Sequence, residues 1–477
     1  QTHDLAALSS EQVQAFDAAD VAALSTAQIV ALGTAQVGAL KTAQIQALTS
    51  EQLVALQTQD LQALSTAQVV ALQTQQVQAL SIEQVVALST GQIAALETID
   101  LRALSSEQVQ ALTASQVAVL TTQQIAALST QQIEALETRD LQAMSTAQIV
   151  ALTSLQVRAL TTEQVPALTS LQLRALETAD IAALSSAQIV ALSTAQALAL
   201  TNAQIVALST EQVIALELAD LAKLTSVQIQ ALETVDLAAL SSAQVMGLSS
   251  TQVIALATQQ VASLTTAQIA VLETVDLRAL SSAQIVALTT GQVLALTTEQ
   301  VSILKTEQIN ALQTADLASF SSEQIVAMGS EQIKVLSTAQ IAALTTAQAA
   351  ALEVADLQGL SSVQLQAIQT DDLAVLGTAQ IAGLSTEQVV ALSSAQIIAL
   401  TTAQVVNLEV EDVAALSTTQ VRQLETADLA VLSTQQIAAL TTDQVSSLST
   451  AQVVALTTVQ VAALQTNDLQ ALTATQI

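Results

Sequence analysis

The sequence predicts an all-α solenoid, a superhelix in which each eight-residue repeat forms one very short capped helix. Three observations predict this fold class. One octapeptide unit recurs from end to end, nearly every unit opens with a helix-capping signature, and apolar positions in each unit provide a thin aliphatic core. No compositional break marks a linker, so residues 1–477 are predicted to form one continuous array.

The repeat keeps a strict frame. Its consensus is Ser/Thr, Thr/Ser, variable, Gln, Ile/Val, variable, Ala, Leu, and the segment from Ser65 to Leu72 is an example. Every eighth residue from position 4 to position 476 is Gln or Asp, which gives 60 sites without an insertion. Self-similarity at a fixed period is typical of arrays in which each unit packs against its neighbours. Repeat 1 comprises residues 1–8, and positions within a repeat are numbered one to eight.

The start of each repeat carries two helix signals. Ser65 at position one and Gln68 at position four form the capping box S/T-x-x-E/Q, in which side chains and backbone N–H groups bond reciprocally. Leu64 and Val69 stand at the two places of a hydrophobic staple. Because each new cap residue leaves helical dihedral angles, every repeat is expected to end in a sharp corner. Pro166 removes one backbone bond from its helix, which a local kink can absorb.

Two other folds are compatible with parts of the pattern. In one continuous α-helix, eight residues turn about 800°, so the Leu stripe would drift by about 80° per repeat, far more than a coiled-coil seam tolerates. A β-solenoid is the stronger alternative, since Thr, Val and Ile suit strands. The abundance of Ala, Leu and Gln and the scarcity of Gly, Asn and aromatic residues favour the helical solenoid.

Asp replaces Gln at 15 of the 60 sites with a rhythm of its own. Successive Asp sites are five repeats apart ten times and two repeats apart four times. In these repeats position one changes as well, to Glu, Gln or Asp, as in Glu97–Asp100 and Gln313–Asp316. If the Asp repeats share one face, five repeats make about two turns and two repeats about one turn. This interpretation predicts about 2.4 repeats per turn and a rod on the order of 200 Å long, with helices stacked about 8–10 Å apart.

Composition narrows the function classes. The net charge is −30, with 40 acidic and 10 basic residues and two aromatic residues in all, whereas nucleic-acid binding calls for a basic stripe and usually stacking aromatics. No apolar run reaches membrane-spanning length, because a polar segment interrupts every repeat. We therefore expect neither nucleic-acid binding nor membrane insertion. The chain stops inside a repeat and has no distinct polar cap at either end, so we expect it to be a segment of a longer polypeptide.

The Asp repeats form the one candidate ligand site. If they align, their carboxylates make an acidic ridge that could hold a hard cation such as Ca²⁺, which binds several oxygen ligands. The preferred interpretation is local: Asp at the third helical residue accepts backbone N–H bonds and suits the helix dipole. The candidate ridge comprises Asp60, Glu97, Asp100, Glu137, Asp140, Glu177, Asp180, Asp220, Asp236 and Asp276.

No catalytic residue is predicted. Ser and Thr are abundant, but a nucleophile needs an adjacent base, and the single His, His3, stands in a variable position near the end of the chain. Cys is absent, which excludes thiolate metal sites. The sequence thus predicts neither an enzyme nor a cofactor protein. Ala and Val at the variable positions favour self-association, either side by side or end to end.

The form L-S-T-A-Q-I-x-A-L-T-T-E-Q-I resembles low-complexity octapeptide regions in very large surface or secreted proteins of proteobacteria, which are often described as adhesion-like or haem-utilisation-like. The resemblance covers the whole chain and carries over no site residue. It implies an extracellular or cell-surface stalk, fibre or matrix role. From the residues and the resemblance together we expect an elongated structural protein, with a cation- or partner-binding adhesive module as the alternative.

Overall fold

A computed structural model describes all of residues 1–477, and it is entirely helical. It contains 59 helices and no strand, so the helical solenoid is confirmed and the β-solenoid is wrong. All helices but one begin at position two of a repeat. Most helices span six residues, as Thr42–Ala47 does, or five, as Thr66–Val70 does. Three helices span only four residues each: Gln164–Ala167, Leu218–Leu221 and Thr402–Val405. The first helix is Thr2–Ala6 and the last is Thr466–Ala471.

Each helix ends at a corner made of extended residues. In a six-residue helix, the Leu at position eight leaves helical dihedral angles, as Leu48 does with φ −58° and ψ 133°. The cap residue that follows is also extended, as Ser65 is with φ −69° and ψ 160°. No residue has a positive φ. The corner is therefore open to any L-residue, which explains why Gly is not needed there.

The helices wind into a superhelix with three to four repeats per turn. Helix Thr74–Ala79 packs on helix Thr98–Ala103, three repeats later, and this spacing recurs along the chain. Side chains also reach the end of the helix four repeats earlier, 28 to 31 residues away. One turn therefore takes more repeats than the predicted 2.4, and that prediction is wrong. It assumed that all Asp repeats lie on one face, which the fold does not require.

The core consists of three positions in each repeat. The apolar side chain at position five is completely buried, as Val69 is, and the Leu at position eight is nearly so, as Leu72 is. Gln or Asp at position four is also buried along most of the chain. Burying one Leu or Val contributes about 1.5–3 kcal/mol, whereas ordering one residue costs about 1–2 kcal/mol of backbone entropy. A single repeat therefore needs its neighbours to fold.

Two compact units divide the chain, Gln1–Leu240 and Ser241–Ile477. Each unit has the same helical repeat, and within each unit most helices pack on the third helix after them. Around Pro166 the helix shortens to Gln164–Ala167, yet the Thr161 cap is kept, with its N–H 2.8 Å from Gln164 Oε1. The expected local adjustment is thus a later helix start. None of the helices has the length and apolar character that a membrane-spanning segment requires.

Candidate functional site

The capping box predicted from sequence is present in most repeats. In repeat 9, the Ser65 N–H donates to Gln68 Oε1 at 2.7 Å, and the Gln68 N–H donates to Ser65 Oγ at 3.3 Å. Each helix start thereby satisfies two of the backbone donors that a helix N-terminus leaves free. The Gln side chain uses only its oxygen for this purpose, which leaves its amide nitrogen available.

The amide nitrogen of the same Gln binds the preceding turn of the superhelix. Gln76 Nε2 donates to the carbonyl oxygens of Ile45 at 2.9 Å and of Leu48 at 2.6 Å, positions five and eight of the repeat four units earlier. Gln116 repeats this contact with the carbonyls of Val85 and Leu88. These bonds satisfy carbonyls at the end of one helix with a side chain from the next turn. We call the whole series the Gln ladder.

Sequence reasoning missed the Gln ladder, although the sequence holds a signal for it. A capping box accepts Glu as well as Gln at position four, yet none of the 60 sites carries Glu: 45 are Gln and 15 are Asp. Glu offers the same acceptor oxygen but no N–H donor. The absence of Glu therefore indicates that the donor is needed, which a buried pair of carbonyls explains.

At the Asp sites the contact between turns reverses its direction. Asp has no N–H to donate, and instead its carboxylate accepts a hydroxyl bond from position two of the repeat three units earlier. Thr74 Oγ1 donates to Asp100 Oδ1 at 2.7 Å. The same bond reaches eight aspartates, namely Asp60, Asp100, Asp180, Asp236, Asp276, Asp316, Asp356 and Asp468.

The predicted local role of Asp as a cap acceptor holds at some sites only. The Glu137 N–H donates to Asp140 Oδ2 at 3.1 Å, and Glu177, Glu353, Glu425 and Gln465 make the same bond within their own repeats. Two cap glutamines supply donors of their own: Gln313 Nε2 donates to the Val286 carbonyl and Gln465 Nε2 to the Ala438 carbonyl, each at 3.2 Å.

The structure places the residues of the candidate acidic ridge in two environments. The aspartates at 60, 100, 140, 180, 220, 236 and 276 are all at most 4% exposed. The caps Glu97 and Glu177 are exposed, and Glu137 is half-buried. The Asp members of the candidate ridge thus face the interior of the superhelix, whereas the Glu members lie at or near its surface. No three acidic or His side chains come together in a group that could hold a metal ion. His3 is exposed.

Asp140 shows what happens when the hydroxyl donor is missing. At position two of the repeat three units earlier stands Ala114, and Asp140 Oδ1 is buried without a hydrogen bond. Arg139 Nε lies 2.8 Å from Glu137 Oε2 and 3.7 Å from Asp140 Oδ1. Burial raises the pKa of the Asp140 carboxyl, as does the negative charge of Glu137, against the smaller lowering by the Glu137 N–H and Arg139.

Three further buried carboxyls, of Asp372, Asp412 and Asp428, have raised pKa values, and burial is the largest cause in each. Nearby charges add to the increase, from Asp371, Glu411 and Glu425 respectively. Hydrogen bonds oppose it at Asp412, from Thr386 and the Glu409 N–H, and at Asp428, from the Glu425 N–H. Burial in the interior of the superhelix thus disfavours ionisation of these carboxyls.

The sequence model of one protein family, described as the ALTTAQ repeat, matches most of the chain in tandem. The matched segments are residues 1–34, 14–50, 29–58, 53–90, 93–130, 133–170, 173–210, 229–266, 269–306, 309–346, 349–382, 365–402 and 421–458. A comparison with curated proteins gives no match.

Proposed function

The chain belongs to the ALTTAQ repeat family, and we propose that it is a non-catalytic structural protein that forms an elongated rod, stalk or filament segment. The Gln ladder is the observation that carries the proposal. Each Gln repeat holds both the donor for the preceding turn and the carbonyls for the following one, as Gln76 and Leu80 do. Such an array gains length and stability by adding repeats.

The composition of the repeat supports a role in spacing. Positions four, five and eight face the core and position one caps the helix. Each unit of about 30 repeats, at three to four repeats per turn and about 8–10 Å per layer, would be on the order of 60–100 Å long. A rod of this kind holds whatever lies at its two ends a fixed distance apart.

Small-angle scattering of the full chain tests the rod proposal. If the two units continue one another, the maximum dimension should exceed about 120 Å at the layer spacing of packed helices, and the cross-section should be that of a single superhelix. Chains shortened by three or by six whole repeats within one unit should lose length in proportion. A compact particle whose maximum dimension does not change with chain length would contradict an elongated role.

Exposed apolar side chains support self-association as part of this function. Leu155 and Leu171 are 73% and 71% exposed at position three, and Ile99 is 61% exposed at the same position. Apolar residues this accessible favour contact with another surface. We therefore propose lateral contact between copies in an extracellular or cell-surface layer, in keeping with the resemblance to large bacterial surface proteins.

Sedimentation velocity tests the association. The apparent mass should rise with concentration for the native chain and rise less for the double variant Leu155→Gln and Leu171→Gln. The variant Gln59→Ala and Gln123→Ala, also at exposed position-three sites, is the matched control and should behave as the native chain. A native chain that stays monomeric at high concentration would contradict lateral contact.

The alternative function is a cation- or partner-binding adhesive module. It is favoured by the buried carboxylates of the Asp repeats, among which Asp140 Oδ1 has no hydrogen-bond partner.

A further inference from the structure

An exposed apolar residue at position three and an exposed Arg at position six occur together in four repeats. In repeat 20, Leu155 and Arg158 lie on the helix Ser154–Ala159, and residues three apart are neighbours on a helix surface. Each pair therefore forms one patch that is partly apolar and partly basic. The pairs are Ile99 with Arg102, Leu155 with Arg158, Leu171 with Arg174, and Val275 with Arg278. We call these four the Leu/Arg repeats.

The combination of residues in the Leu/Arg repeats is selective. Ile, Leu or Val stands at position three in eight repeats, and four of these have Arg at position six, whereas one other repeat, that of Arg422, has Arg there. The ion pairs within the chain involve only Arg139, Lys334 and the N-terminal amine as cations. On a chain with 40 acidic residues, the Arg side chains of the Leu/Arg repeats thus keep their guanidinium groups available for a carboxylate from outside.

Five other repeats carry the reverse arrangement, with Glu at position three and Val or Ile at position six. The pairs are Glu51 with Val54, Glu83 with Val86, Glu211 with Ile214, Glu323 with Val326, and Glu387 with Val390. The apolar members are 41% to 48% exposed, and each pair lies on a six-residue helix, as each Leu/Arg pair does. We call these five the Glu/Val repeats.

The two kinds of patch are complementary when their helices lie antiparallel. Position three of one helix then faces position six of the other, so an apolar side chain meets an apolar side chain and Arg meets Glu. Parallel helices would instead place Leu against Glu and Arg against Val. Two Leu/Arg repeats match in neither orientation, because antiparallel helices would place Leu against Arg and parallel helices Arg against Arg. The Glu/Val repeats are therefore the matching surface that this chain offers.

We propose that the Leu/Arg repeats are the docking surface for the Glu/Val repeats of a second copy of this chain, with the contacting helices antiparallel. This inference rests on the lateral contact of the proposed function and identifies the two surfaces that form it. Pairs of guanidinium and carboxylate groups fix orientation and register, and the apolar pair beside each of them excludes water.

An exchange of charges, followed by sedimentation velocity, tests the pairing. One variant carries Arg102→Glu, Arg158→Glu, Arg174→Glu and Arg278→Glu, and the other carries Glu51→Arg, Glu83→Arg, Glu211→Arg, Glu323→Arg and Glu387→Arg. Each variant alone places like charges in the contact and should associate about tenfold or more weakly than the native chain. An equimolar mixture should regain association, because each variant supplies the charge that the other needs. The native Glu134 at position six and Arg139 at position three show that the fold accepts these residue types.

The matched control removes the same amount of positive charge from exposed positions outside the Leu/Arg repeats and should associate as the native chain does. It carries Lys41→Glu, Lys223→Glu, Lys305→Glu and Arg422→Glu. An equal loss of association in this control, or a mixture that associates no better than its components, would overturn the pairing. If Leu155→Gln and Leu171→Gln weaken association while the charge exchange has no effect, the lateral contact stands and the pairing falls. A native chain that stays monomeric would contradict both.

Discussion

Repeat 10 and repeat 13 are packed against each other and differ at position four, which is Gln76 in the first and Asp100 in the second. Gln76 donates two bonds to the carbonyls of Ile45 and Leu48 in the preceding turn. Asp100 donates none and accepts one bond, from Thr74 of repeat 10. Two side chains at the same buried position thus connect the turns with opposite polarity. Position four therefore links successive turns whether it carries Gln or Asp, in addition to its place in the helix cap.

The largest expected effect comes from removing a donor of the Gln ladder. Gln76→Glu keeps the size of the side chain and the capping oxygen but places a carboxylate against two carbonyls. An unpaired buried charge costs about 3–5 kcal/mol, so the free energy of unfolding measured with denaturant should fall by about that amount. Hydrogen exchange should become faster only in the turns next to the substitution. Gln78→Glu adds the same charge at an exposed position and should change stability by less than about 0.5 kcal/mol.

The next largest loss of stability is expected from removing a hydroxyl that donates to a buried Asp of the next turn. Thr74→Val removes the hydroxyl bond to Asp100 and leaves Oδ1 buried without that donor, which costs about 1–3 kcal/mol. Thr66→Val is the matched control, because Thr66 occupies the same position but the repeat three units after it carries Gln92 instead of an Asp. Equal losses in the two variants, measured by thermal or denaturant unfolding, would show that the Thr74–Asp100 bond adds nothing.

A smaller effect of opposite sign is expected at Asp140. Ala114→Thr restores the residue type that donates to Asp100 and to Asp236, and a new hydrogen bond to a charged acceptor contributes about 1–2 kcal/mol. The variant should melt at a higher temperature than the native chain. In an Asp140→Gln background the gain should disappear, since the acceptor is gone. A gain that persists in that background would come from Thr itself.

The sequence predicted the helices much better than the way they stack. Ser65, Gln68, Leu64 and Val69 encode a helix start locally, so one repeat suffices to predict it. The number of repeats per turn depends on contacts between residues 25 to 31 apart, which no local rule specifies. The spacing of Asp predicts one shared face, whereas in the structure eight aspartates accept a hydroxyl bond from position two of the repeat three units earlier, as Asp100 does from Thr74.

The same distinction explains the outcome at the candidate site. The sequence alone shows that Asp recurs with its own spacing and that the cap residue changes with it. It does not show that the aspartates face inward. Burial at position four comes from the stacking of turns. The one sequence signal for it was the absence of Glu at 60 sites, since a solvent-exposed capping position would accept Glu as readily as Gln.

The smallest expected effect is a pH dependence that separates the Asp repeats from the Gln repeats. The pKa values of Asp140, Asp372, Asp412 and Asp428 are raised in the folded state. A raised carboxyl pKa means that the folded state binds more protons than the unfolded state. The contribution of each such carboxyl to the free energy of unfolding is therefore fully present below its unfolded pKa and is lost as the pH rises through its folded pKa. The free energy of unfolding should therefore rise as the pH falls from neutrality towards the ordinary carboxyl range, by less than about 1.4 kcal/mol per pH unit for each group.

Replacing all four aspartates by Gln should flatten this pH dependence, whereas replacing four exposed acidic residues, Glu51, Glu107, Glu211 and Asp443, should leave most of it. Glu83 and Glu323 act in the opposite direction, because hydrogen bonds from their own backbone and from the serines two residues earlier lower their pKa values, but solvent screens these exposed groups. If the pH profile survives the four buried replacements, general charge repulsion on a chain of net charge −30 causes it, and the Asp and Gln repeats then differ in hydrogen bonding alone.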